Sequence, residues 1–153
     1  MDYIASTDKT QAFGRIGQLL IGATSARKMT DQGCHEMVEY IARQVALGFP
    51  TRFVLQYSPT QSPSAAQRRL FTEGAPSFSN AELVIILTDS QLARGAVTAM
   101  TWLIRGKVKM RAYKPSEHQE ALRVLAGLTP FSMQEATALL TTVVAAVGLP
   151  PLA

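Results

Sequence analysis

The run Ala81–Leu87, AELVIIL, constrains the fold more than any other stretch of this chain. It is continuously apolar from Leu83, rich in β-branched residues and bounded by polar turns. Such a run is expected of a strand buried on both faces, and a sheet with both faces covered is characteristically parallel with helices packed against it. A chain of 153 residues with 47% apolar and 17% charged residues has the size and composition to build one such domain.

The surrounding segments fit that expectation. Cys34, Met37, Val38, Ile41 and Val45 fall at i, i+3, i+4, i+7 and i+11, the spacing of one helical face. Thr30 or Asp31 would cap this helix and Gly48 would end it. Tyr3–Thr7 reads as a short strand, Asp8–Gln11 as a turn, and FGRIGQLLIGAT (13–24) as a strand that pairs with the first in a hairpin. RFVLQY (52–57) is β-prone, Ser64 caps a helix through Ala65–Thr72, and Ser90 caps another to Ile104. Val108–Tyr113 reads as a strand. Ser116 with Gln119, and Ser132 with Glu135, are capping boxes for two final helices. Strands thus alternate with helices in a mixed, mostly parallel α/β sheet, with an extra apolar C-terminal helix.

Several functions are disfavoured by the inventory. One cysteine, Cys34, excludes an internal disulfide and a Cys-based zinc site, and it falls on an apolar helix face. The two histidines, His35 and His118, lack a partnering nucleophile or carboxylate set, and no GxSxG, HExxH or Walker sequence is present. The expectation is a non-enzymatic protein with no cofactor and no metal. MDYIASTDKTQ lacks the basic and apolar regions of a signal peptide, and no stretch reaches the roughly 18 apolar residues of a membrane span. A cytoplasmic protein without a membrane span is expected.

The turn TDSQLARG (88–95) joins a strand to a helix without a glycine where a phosphate would need close backbone approach, and Asp89 would repel an anion. It reads as a cap with Arg94 one turn on. Lys107, Lys109 and Arg111 alternate with Val108, Met110 and Ala112. Lysines at that spacing protect a sheet edge, and without interleaved aromatics nucleic acid is not the expected partner.

The element order over residues 1–126, with TDSQLARGAVTAMTWL and KVKMRAYKPSEHQEALRVL as its last strand–helix–strand–helix and Glu120–Ala121 in "EAL", resembles the STAS domain of bacterial anti-sigma-factor antagonists. The resemblance implies a STAS-like α/β domain over 1–128, followed by a helical extension over 129–153 on the same domain. It also implies a regulatory module in bacterial signalling that binds a protein partner. Such antagonists are phosphorylated on a Ser in an Asp-Ser-Gly turn after the third strand. The matching turn here, SPTQSPS, has neither that Asp nor that Gly. Its Ser58, Thr60, Ser62 and Ser64 are the candidates for phosphorylation or partner contact, although Ser64 also reads as a plain helix cap.

The final helix carries ATALLTTVVAAV (136–147) without a charge on any face, so it must be covered on most sides. It either lies across the sheet as core or docks against a second copy. A homodimer is therefore expected as one outcome, with Arg68, Arg94, Leu139 and Val143 as candidate interface residues. The alternative is a small-ligand protein holding a lipid or nucleotide under that helix.

Overall fold

The computed structural model describes residues 2–59, 64–74, 81–89 and 109–152. Its six strands are β1 (Tyr3–Ala5), β2 (Gln11–Ile16), β3 (Leu19–Thr24), β4 (Phe53–Tyr57), β5 (Leu83–Leu87) and β6 (Lys109–Tyr113). Four helices accompany them: α1 (Asp31–Ala46), α2 (Ala65–Gly74), α3 (His118–Ala126) and α4 (Met133–Ala146). The expected helix over Ser90–Ile104 lies outside the described residues, as do Thr60, Ser62 and Arg94.

The strands form one sheet in the order β1-β2-β3-β4-β5-β6. β1, β2 and β3 pair antiparallel, and β3 to β6 run parallel. The mixed, mostly parallel α/β architecture expected from AELVIIL is therefore present, with one strand more than expected. FGRIGQLLIGAT is two strands, because Gly17 adopts a φ of +57° and reverses the chain between Ile16 and Leu19, which pair directly. A side chain at that φ is strained, and glycine is the residue that a two-residue hairpin of this kind selects.

Alternation along the strands divides the core in two. Leu19, Ile21, Phe53, Leu55, Leu83, Ile85 and Leu87 face α3 and α4. Leu20, Val54, Val84 and Ile86 face Met37, Val38 and Ile41 of α1. β5 is buried at all five positions, as its sequence requires.

α1 starts where expected. Thr30 sits in extended conformation, and its hydroxyl accepts the Gly33 amide at 3.0 Å. Val45, placed on its apolar face by periodicity, is 38% exposed instead, because the last turn runs past the packed part of the sheet. The box expected between Ser116 and Gln119 is replaced by another. Pro115–Glu117 form a 3₁₀ turn ahead of α3, and Glu117 accepts the Lys114 amide at 2.9 Å. Proline suits the first position of that turn, and the helical segment starts two residues earlier than a Ser116 cap would place it.

α4 is capped by Ser132, whose hydroxyl accepts the Glu135 amide at 3.3 Å. Its inner face, Ala136, Leu139, Leu140, Val143 and Val144, belongs to the same core as β2 and β3. Gly14 of β2 makes this contact close, since a Cβ there would stand 2.5 Å from Leu139 Cδ1. Leu139 and Val143, proposed above as interface residues, are 0% exposed in this core and present no surface to a second copy. The outer face carries Ala138, Thr141 and Ala145. Thr137, Thr141 and Thr142 return their hydroxyl protons to carbonyls four residues back, at 2.8–2.9 Å. A helix with no charge beyond Glu135 is thereby accommodated: one side is core, and the other shows small side chains whose hydroxyls are already bonded.

Candidate functional site at the carboxyl edge of the sheet

The parallel strands end in register, with Ala23, Tyr57, Leu87 and Tyr113 side by side. In open α/β sheets ligands and partners meet the chain beyond this edge, where loops leave a rigid base. The residues that follow continue the ladder briefly. The Ser58 amide donates to Leu87 O at 3.0 Å, and the Thr88 amide donates to Tyr113 O at 2.9 Å. Ser58 is thus held on the middle of the parallel block.

Its hydroxyl has a specific neighbour. Thr24, at the end of β3, points its hydroxyl at Ser58 Oγ (3.3 Å) and at Tyr57 O (3.4 Å). Thr24 is buried and Ser58 is half-buried. Tyr57 is buried beside them. Burial pushes its phenol up, and the charge of Asp89 adds to that. The result is a hydroxyl-rich strip built from the ends of β3, β4 and β5.

Ser64 is used differently. Its Oγ accepts the Gln67 amide at 3.1 Å, and its own amide donates to Gln67 Oε1 at 3.0 Å, a reciprocal cap on α2. Gln67 is only 5% exposed, and its Nε2 donates onward to Met29 O (2.9 Å) and Asp31 Oδ1 (3.2 Å). The cap therefore ties the start of α2 to the start of α1. Arg68 follows on α2, half-buried, with its amide donating to Ser64 O at 2.8 Å. Of the four hydroxyl residues in the turn after β4, the described pair separate into Ser58 on the sheet edge and Ser64 within a cap.

Sequence reasoning missed a second polar assembly on the same edge. The turn between β1 and β2 is organised by Asp8, whose Oδ1 accepts from Ser6 Oγ (2.8 Å), Thr10 N (3.0 Å) and Thr10 Oγ1 (2.7 Å). Its Oδ2 accepts from Thr30 Oγ1. Burial works to raise this carboxyl. The hydroxyls of Thr30, Thr10 and Ser6 and the Thr10 amide overcome it and hold the group well below the usual carboxylate range. Thr7 adds two bonds to Glu36 of α1, from its amide at 2.9 Å and its hydroxyl at 2.5 Å. The spacing in STDKT, an acid flanked at two residues by hydroxyls, is the signal that could have found it.

The remaining candidates are dispersed. Cys34 is fully buried, with Gln11 Nε2 at 3.3 Å from its sulfur, and burial pushes the thiol up. His118 bonds Pro115 O through Nδ1 at 2.8 Å at the start of α3, and His35 lies exposed on α1. Among the described residues, no three or more His, Cys, Asp or Glu side chains are grouped to hold a metal ion. Lys109 and Arg111 stand exposed on β6, the last strand in the sheet order, and Lys107 lies outside the described residues. No helix among the described residues is long and apolar enough to cross a membrane. The strand order β3-β4-β5-β6 proceeds without reversal, so these strands do not form the crevice that a reversed order opens for nucleotides. Comparison of the chain with family models, with curated proteins and with solved structures finds no match.

Proposed function

We propose that this chain is a non-enzymatic regulatory module of bacterial signalling, similar in design to STAS anti-sigma-factor antagonists, and that it meets a protein partner at the carboxyl edge of its sheet. The observation that carries this reading is the position of Ser58. It follows β4, one of the two inner parallel strands, is anchored by its amide to β5, and is half-buried with its hydroxyl beside Thr24. A phosphate there would add about −1.5 to −2 charge to an edge that carries the hydroxyls of Thr24 and Ser58 and the charge of Asp89, which is enough to change which partner the edge accepts. Ser64 is the weaker site, because its oxygen already accepts the Gln67 amide.

The test is phosphopeptide mapping of the protein taken from its native cell across growth phases. Phosphate on Ser58 supports the switch. A chain that carries phosphate on none of Ser58, Thr60, Ser62 and Ser64 in any phase removes it.

Since Leu139 and Val143 lie in the core, a homodimer through α4 would use its outer face, around Ala138, Thr141 and Ala145, and Arg68 on α2 stays a candidate contact. Native mass spectrometry reads that state directly. A second reading, a small-ligand protein, has one observation in its favour. The space beneath α4 is filled by side chains, but a cavity of about 450 Å³ opens at its C-terminal end.

A further inference from the structure

That cavity has two unlike walls. Lys9, Ser25 and Arg27 line one side; the other is the last turn of α4 and its exit, including Val147 and Leu149. The volume is in the range of small-molecule sites, roughly 300–1,000 Å³. No acidic side chain lines it.

The turn that organises Asp8 also places both cations. Arg27 is exposed, and its Nη2 donates to Asp8 O at 2.5 Å, which fixes the guanidinium at the mouth. The Asp8 carboxylate makes no direct ion pair with it, its oxygens being taken by Ser6, Thr10 and Thr30. It stays ionised in the same turn, however, so Asp8, Lys9 and Arg27 together carry one net positive charge. Lys9 has a φ of +58°, a left-handed conformation that costs a non-glycine residue about 1–2 kcal/mol. The Lys9 amide bonded to Ser6 O at 2.8 Å, with the Asp8 bonds on either side, imposes that conformation. Among the described residues the Lys9 ammonium takes part in no hydrogen bond or ion pair.

Two cations near a helix C-terminus have a plain use, which is to offset its dipole. That dipole is equivalent to roughly half an elementary charge, so two cations set against one carboxylate still leave a small surplus of positive charge. The last turn is moreover partly closed already, with the Gly148 amide on Ala145 O at 3.0 Å and the Leu149 amide on Val144 O at 3.2 Å.

We infer that the cavity between Lys9, Arg27 and the end of α4 binds a small amphipathic carboxylate, its head at the two cations and its tail against Val147 and Leu149. A guanidinium and an ammonium suit the two oxygens of one carboxylate. A phosphate dianion is the poorer fit, because the adjacent helix end presents carbonyls, whereas phosphate sites use the amides of an N-terminus. This inference is independent of the regulatory reading and stands or falls without it.

The experiment titrates octanoate into the full chain by calorimetry, with backbone NMR on the same samples and octanol as the neutral comparison. The expected result is saturable one-to-one binding of octanoate, weaker or no binding of octanol, and shifts centred on Lys9, Arg27, Val147 and Leu149. Lys9→Gly combined with Arg27→Gln should weaken octanoate about tenfold or more, the loss of two charge-assisted contacts. Glycine suits the backbone at position 9, and the unfolding midpoint of the variant, measured alongside, reports that it is folded. Three outcomes would overturn the inference: no octanoate binding at millimolar concentration, octanol binding as tightly as octanoate, or a folded double variant that binds octanoate like the parent.

Discussion

The hydroxyl of Thr30 accepts the Gly33 amide at 3.0 Å and gives its own proton to Asp8. One side chain thereby joins the cap of α1 to the turn between β1 and β2. A hydroxyl used in both directions is fully satisfied, and its acceptor, a carboxylate, makes the stronger kind of hydrogen bond.

Asp8 should accordingly set part of the acid response. Its carboxyl is held below the ordinary value in the folded state, so its contribution is complete above about pH 3.9, the unfolded value, and is lost as pH falls through the folded one. Urea unfolding at pH 7, 5 and 3 should show stability declining over the lowest interval. Asp8→Asn should be less stable at pH 7 and show a flatter decline. A variant that matches the parent at every pH would mean the Asp8 bonds add nothing net.

The contact of Gly14 with Leu139 predicts a coupled pair. Leu139→Ala should cost about 2–5 kcal/mol, as for a fully buried leucine. Gly14→Ala should cost about 1–3 kcal/mol by pushing a methyl into Leu139 Cδ1. Combined, the two should cost less than their sum, because the cavity left at 139 receives the new methyl. Ala138→Ser, one residue away on the exposed face, should change stability by under about 0.5 kcal/mol. Denaturant titration of the four variants measures all of this.

Gln67 should be the most sensitive residue of α2. Its amide group closes the cap with Ser64 and reaches Met29 and Asp31 on the other side. Gln67→Ala leaves the buried Met29 carbonyl without this donor and should cost about 1–3 kcal/mol. In hydrogen exchange, amides at the start of both α1 and α2 should lose protection. Loss in α2 alone would show that the tie does not transmit.

Cys34 should be inert while the chain is folded. It is fully buried, and burial keeps the thiol protonated beyond its ordinary range. Labelling with a thiol reagent at pH 8 should be slow and should accelerate in proportion to the unfolded fraction as urea is added. Because its folded value is raised, ionisation at high pH favours unfolding, so stability should fall as pH rises past about 8.5, the unfolded value.

The sequence made the regular parts legible for reasons that the structure makes concrete. β5 is buried on both faces, so every residue had to be apolar, and α1 and α4 each begin at a hydroxyl that caps them. The division at Gly17 was harder to see, because β2 and β3 are each six residues long and their apolar runs nearly touch. Only the glycine signals the reversal. Val45 kept helical period but lost its burial, since period specifies a direction and not how far the partner surface extends.

The candidate edge was legible only as hydroxyls in one loop, of which Ser64 alone carried a local signal, that of a helix cap. What marks out Ser58 is tertiary, its amide meeting Leu87 O across the sheet, whereas the oxygen of Ser64 meets Gln67 only three residues on. Lys9, Arg27 and Leu149 share a cavity across most of the length of the chain, and no local pattern relates them.

The strand order has a consequence for how this protein is made. Each strand pairs with the one before it in the chain, so the sheet can extend in step with synthesis, and pairing between sequence neighbours is the fast kind. Its two sides are not finished together. Ala12 and Ile21 pack in one core with Leu139, Leu140 and Val143, which come near the end of the chain. Until those residues leave the ribosome, the part of that side formed by β1, β2 and β3 stays wet and adhesive. A nascent chain at that stage should bind a chaperone, and should cease to do so once α4 has emerged.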